Sequence, residues 1–208
     1  MVRMRPRLFF SVVVECALMA ACASTQMTSM LNPEWQSQPY RRILVFFATD
    51  DLELRRSFET RFQEHNPIPD VEFIPAFAVL FPGRTYTDLE VTEVLKRAGV
   101  DAALVVMQGQ SGASTATLPA TATTGCTLWR TSQGCLQTET TVSGGGTLHK
   151  PWADYSVFLI DLEDTQTIWV ATASSSGNAF ASWSDLRNSL VSKTIERLTK
   201  DRVIIGRR

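Results

Sequence analysis

Histidine and cysteine are scarce in this 208-residue chain, at two and four residues. His65 and His149 lie far apart, with no CxxC or HExxH spacing around them, so no metal-ligand set is written in the sequence. A GxxxxGK phosphate cradle is missing as well, and Gly144-Gly145-Gly146 leads into Thr147-Leu148-His149-Lys150-Pro151 rather than a helix. No cofactor motif remains. Clustered Lys and Arg are lacking between Tyr40 and Arg208, which excludes the electrostatic footprint of a nucleic-acid binder. Long apolar runs are lacking too: the stretch Leu8 to Cys22 falls short of the roughly 20 residues of a membrane-spanning helix and is interrupted by Glu15.

What that N-terminal stretch does contain is an export pattern. Arg3, Arg5 and Arg7 form a positive leader and Leu8 to Val14 a short apolar segment. Leu18-Met19-Ala20-Ala21-Cys22 follows, and it resembles a bacterial lipobox. The resemblance implies a signal peptide over residues 1–21, removed by signal peptidase II, and acylation of Cys22 with palmitate-type chains. Cys16 follows Val14-Glu15 rather than small residues and is the poorer match. Two or three acyl chains at ~0.8 kcal/mol per buried methylene make a permanent membrane anchor. Ala23 and Ser24 follow the cysteine with no adjacent Asp, so the resemblance implies the periplasmic face of a Gram-negative outer membrane. Residues 24–39 are polar and carry Pro33 and Pro39, and they read as a tether within the segment 22–39.

Without the leader the chain carries a net charge of about −3, since Arg3, Arg5, Arg7 and Glu15 leave with it. Residues 40–208 are enough for one domain with its own core. Ile43 to Ala48 is a continuous apolar run of strand length, followed by Asp50 and Asp51 as caps for a helix with Leu54, Phe58 and Phe62 on one face. His65 in its last turn suits the helix dipole rather than a ligand role. Val71 to Phe77 alternates and contains Pro75, which places it near a sheet edge. Thr87 and Glu90 form a capping box ahead of a second helix closed by Gly99, and Val100 to Met107 gives a third strand. After a long insertion, Tyr155 to Ser174 reads as two strands around a turn at Glu163 to Gln166. Ser184 then caps a last helix with Leu186, Leu190, Val191, Ile195 and Leu198 on one side, and Val203 to Ile205 packs behind it. The expected fold is α/β with one mixed sheet, in the order β-α-β-α-β, insertion, β-β-α.

The insertion, 109–151, is rich in Gly, Ser, Thr and Ala. A disordered linker is one reading; β-forming residues in Thr127 to Ser132 and Gln137 to Val142 favour a hairpin excursion. In an oxidising compartment Cys126 and Cys135 read as a disulfide stapling it, against a metal site short of ligands and a reactive thiol pair without the usual spacing. Trp129 and Trp152 flank the insertion and are candidate ligand contacts, for example to a glycan. Gly109-Gln110-Ser111-Gly112-Ala113 approximates a nucleophile elbow. It lacks the helix that should follow, and His149 with Asp154, Asp161 or Asp164 would complete a triad in an unusual order. Asp161, Glu163 and Asp164 read as a solvated turn.

The element order over Tyr40 to Ile205, with the hairpin phrase Ile160 to Trp169, resembles the α/β domains of the TolB N-terminal and curli secretion lipoprotein type. That resemblance implies an envelope accessory protein and carries no residue-level activity. The sequence therefore points to a non-enzymatic, membrane-anchored envelope protein that engages another envelope protein or its own copies. A glycan or small-ligand module is the alternative, and a serine hydrolase at Ser111 the second.

Overall fold

The computed structural model describes residues 22–35, 39–130 and 134–205, with 121–130 and 134–144 described by backbone pairing. Its strands are β1 (Ala23–Leu31), β2 (Arg42–Ala48), β3 (Glu72–Pro75), β4 (Ala102–Arg130), β5 (Gly134–Asp161) and β6 (Thr167–Gly177). Its helices are α1 (Leu52–Glu64), α2 (Ala76–Val79), α3 (Asp88–Arg97) and α4 (Trp183–Lys200). The export segment 1–21 and the terminal Arg207-Arg208 pair lie outside the described residues.

The six strands form one mixed sheet in the order β1-β6-β5-β4-β2-β3. β2 runs parallel to both β3 and β4, as strands joined through helices must. β4, β5, β6 and β1 pair antiparallel in succession. The α/β reading holds, and Pro75 does sit in the edge strand β3, where a missing N–H costs no ladder bond.

Alternation along β2 divides the core between the two faces of the sheet. Ile43, Val45 and Phe47 join Phe58 and Phe62 of α1 and Leu190, Val191 and Leu198 of α4 on one side. Leu44 joins Leu95 of α3 and Ala76 of α2 in a smaller cluster on the other. The aromatic stack Phe47–Phe58–Phe62–Phe73, with centroids 4.3, 5.7 and 5.5 Å apart in sequence, fills the larger layer.

Helix boundaries follow the caps. Asp51 accepts from Leu54 N–H to open α1, and Thr87 with Glu90 makes the expected capping box at α3. The last helix starts earlier than the Ser184 expectation, because Ser182 and Asp185 form a reciprocal box that satisfies the first-turn amides. Gly99 takes φ +67° just past α3, a left-handed position that glycine fills without strain. Val203 and Ile204 are fully buried while Ile205 is half exposed.

Two further expectations are corrected. Residues 24–31 belong to no tether: they form β1, paired along its whole length to β6 from Ala23↔Gly177 to Leu31↔Trp169. Polar side chains on its inner face anchor it, which is why its low hydrophobicity misleads. Thr25 Oγ1 donates to Ser189 Oγ at 2.9 Å and bonds Ser175 Oγ at 2.8 Å. Ser29 Oγ donates to Asp201 Oδ2 at 2.5 Å, and Trp169 Nε1 donates to the same carboxylate oxygen at 2.8 Å. The second correction concerns Asp161, expected in a solvated turn. It is buried, accepting from Tyr40 Oη at 2.5 Å and from Glu163 N–H at 2.6 Å, while Glu163 and Asp164 stay exposed.

One buried ion ties the parallel half together. Glu59 of α1 is fully enclosed; its Oε1 accepts from Phe47 N–H (3.0 Å) and Arg55 Nε (3.0 Å), and its Oε2 from Phe77 N–H (3.2 Å). The carboxylate thereby joins the end of β2, helix α1 and the start of α2. Glu59→Ala leaves a largely buried guanidinium, one buried amide and one partly buried amide without their acceptor, so it is expected to cost about 3–5 kcal/mol, read as a lower denaturation midpoint with an unchanged slope.

Tyrosine ionisation reports on the same core. Burial, then the hydrogen bond to Asp161, pushes the Tyr40 hydroxyl well above its ordinary value of 10.0; burial also raises Tyr155. Because the folded values lie above the unfolded ones, the stability these groups contribute is intact below about pH 10 and is lost as pH rises further. Alkaline titration followed by phenolate absorbance should show Tyr40 and Tyr155 resisting ionisation until the fold gives way. Ordinary titration of every tyrosine in a folded protein would contradict this.

Candidate functional site at the hairpin end of the sheet

β4 and β5 leave the sheet together. Their ladder is continuous from Ala102↔Asp161 to Arg130↔Gly134, with shifts only between Gln108 and Ser111 and around Leu128. β2 accompanies β4 as far as Met107, and β6 accompanies β5 from Trp152 onward. Beyond Ser111 and Pro151, therefore, the two arms pair only with each other among the described residues. At about 3.3 Å per residue the free hairpin reaches roughly 60 Å past the sheet. The segment 109–151 thus carries the paired outer arms of β4 and β5.

Cys22 lies at the same end. β1 starts at the next residue, opposite the last residue of β6, and the Cys22 carbonyl accepts from Asn178 N–H at 3.0 Å. The residue is exposed. Asn178 opens the tight link from β6 to α4, in which a Cβ on Gly177 would lie 2.4 Å from Ala181 Cβ and 3.3 Å from Pro151 Cγ. That close approach needs glycine, and it presses the link against the base of the hairpin. The link presents Phe180, 73% exposed, and Trp183, 42% exposed. The cysteine, two exposed aromatic rings and the root of the hairpin share one end of the molecule.

The proposed catalytic constellation is not assembled. Ser111 pairs with Ala153 and His149 with Thr115, four ladder positions away, or about 13 Å. Ser111 Oγ instead accepts from Gln108 Nε2 at 3.0 Å, and β4 continues as strand where an elbow needs a helix. The two candidate tryptophans are also kept apart. Trp152 lies across the ladder from Gly112, where a Cβ would approach its ring to 3.3 Å, whereas Trp129 pairs with Cys135 near the tip. Seventeen ladder positions, about 55 Å, separate them, so they share no platform.

Cys126 pairs with Thr138 and Cys135 with Trp129, so the ladder sets the two cysteines three positions out of register. His65 caps α1, its backbone N–H donating to Arg61 O and its Nδ1 3.1 Å from the same oxygen. Among the described residues no group of three His, Cys, Asp or Glu could hold a metal ion.

Open depressions mark the described surface, two of them beside the sheet. The uncovered face of β1, β6 and β5 forms a shallow groove of about 410 Å3 whose lining includes Gln26, Thr28, Asp154, Ser156, Thr172 and Ser174. A second, of about 610 Å3, lies at the opposite end near Tyr40, Asp101 and Asp161. Between α1 and α4 the Nε groups of Arg61 and Arg187 are buried without hydrogen-bond partners, and burial, then the neighbouring Arg61, lowers the pKa of Arg187.

No protein-family model matches the sequence, and no curated protein matches it. Solved structures with a similar outline include the PelC dodecamer from Paraburkholderia phytofirmans, at 15% identity and TM-score 0.48, covering 88% of this chain and 99% of that one. A variant PelC dodecamer from the same organism gives 13% identity and TM-score 0.49, over 89% of this chain and 100% of that one. Lipoprotein GNA1162 from Neisseria meningitidis gives 16% identity and TM-score 0.37, over 77% and 99%.

The candidate site at this end is not legible in the sequence, for two reasons. Thr25, Met27 and Ser29 alternate inward with no apolar run to announce a strand, although their period of two was available as a signal. Nothing in the sequence pattern marks Phe180 and Trp183 as exposed; their exposure follows from the tight link.

Proposed function

We propose that this chain is a non-enzymatic envelope lipoprotein, held at the periplasmic face of the outer membrane by acylated Cys22 and acting through protein partnering by its hairpin. The observation that carries the reading is the juxtaposition of the lipobox cysteine with the root of a hairpin far longer than the sheet needs. Since β1 begins at Ala23, an acyl anchor on Cys22 acts on the folded sheet through a single residue. A partner next to the membrane then meets the hairpin at high effective concentration and in a restricted orientation. Separation of Trp129 from Trp152 gives the glycan reading no platform, and separation of Ser111 from His149 gives hydrolysis no base. A Cys126–Cys135 bridge belongs to this reading as a staple near the tip; forming it requires the tip to shift register, since bridged Cα atoms must come within about 7 Å.

Metabolic labelling with fatty acid should mark the chain, and Cys22→Ser should abolish the label and release the protein from the membrane fraction. Crosslinkers placed on the hairpin in intact cells should capture a discrete envelope protein or a second copy. An unlabelled chain whose fractionation ignores Cys22→Ser removes the anchor. For the staple, peptide mapping without reduction should recover the Cys126 and Cys135 peptides joined, and reduction should leave the main unfolding transition cooperative; recovery of two separate peptides rejects the bridge.

A further inference from the structure

Ser184, Arg187 and Asn188 stand at i, i+3 and i+4 of the last helix and therefore share one face of α4. That face meets α1 through Arg61, whose Nη1 donates to Asn188 Oδ1 and whose Nη2 donates to Ser184 Oγ at 3.0 Å. Arg187 makes no hydrogen bond and no ion pair with any described residue. Its Nε and that of Arg61 are both buried and unpartnered. The carboxylates whose charge reaches this pair are engaged elsewhere. Asp51, felt by Arg187, accepts from Leu54 N–H as the cap of α1, and Asp185, which feels Arg61, accepts from Ser182 N–H and Oγ as the cap of α4.

Two guanidiniums brought together in a partly dehydrated place repel each other, and the lowered pKa of Arg187, set by burial first and by Arg61 next, reports that repulsion. Arginine cannot escape by losing its proton. Relief has to come from an anion. A guanidinium fork matches the oxygens of a phosphate in bidentate geometry, and two such charges side by side are balanced by a dianion rather than by a single carboxylate. Both helices also begin on this side, at Asp51 and Ser182, so their positive ends favour the same charge. Access exists: an open depression of about 590 Å3 along α1 has Ser57, Thr60, Arg61 and Asn188 in its lining, with Glu53 and Glu64 as its carboxylates. Beneath the helices Tyr155 of β5 is close enough for its charge to be coupled to Arg187.

We infer that Arg61 and Arg187 form an oxyanion site between α1 and α4, and that its ligand is a phosphate dianion, either the free ion or a phosphomonoester. Arg61 is the fixed half, held by Ser184 and Asn188. Arg187 is the half that gains, because binding replaces repulsion from its neighbour by charge-assisted hydrogen bonds. The site belongs to the helical layer and does not depend on acylation of Cys22.

The test uses the full chain in uncharged detergent at about pH 8, where phosphate is a dianion. Inorganic phosphate, glycerol phosphate and chloride are titrated at equal ionic strength, and the heat of binding and the thermal midpoint are followed. At least one of the two phosphates should bind and raise the midpoint with concentration, and chloride should do neither. Arg187→Gln, with a far-ultraviolet spectrum matching the parent, should weaken binding about tenfold or more. Arg187→Lys keeps the charge without the fork and should fall between the two; it carries the comparison if the Gln variant does not fold. Binding of inorganic phosphate identifies the free ion as a sufficient ligand, and binding of glycerol phosphate alone identifies an esterified one. Failure of both phosphates to bind overturns the site. So does binding that neither substitution at Arg187 weakens, because the anion then sits elsewhere.

Discussion

The antiparallel ladder between β4 and β5 is the interaction on which the rest of this molecule depends. It begins in the middle of the sheet, where β4 also pairs with β2 and β5 with β6, and it continues without those neighbours to the hairpin tip. In the sheet one of its faces is buried in the core: Leu104 and Leu159 oppose each other with no exposure. Outside the sheet the same backbone geometry persists without a core. Backbone pairing alone is marginal for an isolated two-stranded ribbon in water, so the arm borrows its register from the packed root.

Anchorage of the root is divided between two unlike devices. On the parallel side, a single buried carboxylate, Glu59, gathers two backbone amides and a guanidinium, which fixes where β2 ends and α2 begins. On the antiparallel side, β1 is held by hydroxyls: Thr25 to Ser175 and Ser189, Ser29 to Asp201. Removing water from these hydroxyls is acceptable because each is paired, and the result is an edge strand with little apolar content that still cannot slip. A one-residue slip would turn Thr25, Met27 and Ser29 outward and break every one of these bonds.

These devices explain what could be read from the sequence. Elements with apolar periodicity were legible: Ile43 to Ala48 as a buried strand, Phe58 and Phe62 as the inner face of α1, the Thr87–Glu90 box, and the strands on either side of Glu163 to Gln166. Elements fixed by tertiary polar contacts were not. Strand β1 looks like a linker because its partners, Asp201 and Ser189, lie at the other end of the chain; Asp161 looks solvated because Tyr40 is far away in sequence. At the candidate site Cys22 was legible as a motif, whereas its closeness to Phe180, Trp183 and the hairpin root depends on the β1–β6 pairing. Trp129 and Trp152 were legible as flanks, and only the ladder shows the distance between them.

Absence of slack behind Cys22 has a mechanical consequence. A lipidated residue on a flexible tether lets a domain sample all orientations, so the membrane contributes concentration and nothing else. Here Ala23 is already paired with Gly177, and Cys22 is bonded through its carbonyl to Asn178. Acyl chains on such a residue would hold the hairpin end toward the bilayer. The hairpin cannot then extend freely into the aqueous space on that side: it must lie along the surface, bend away, or enter.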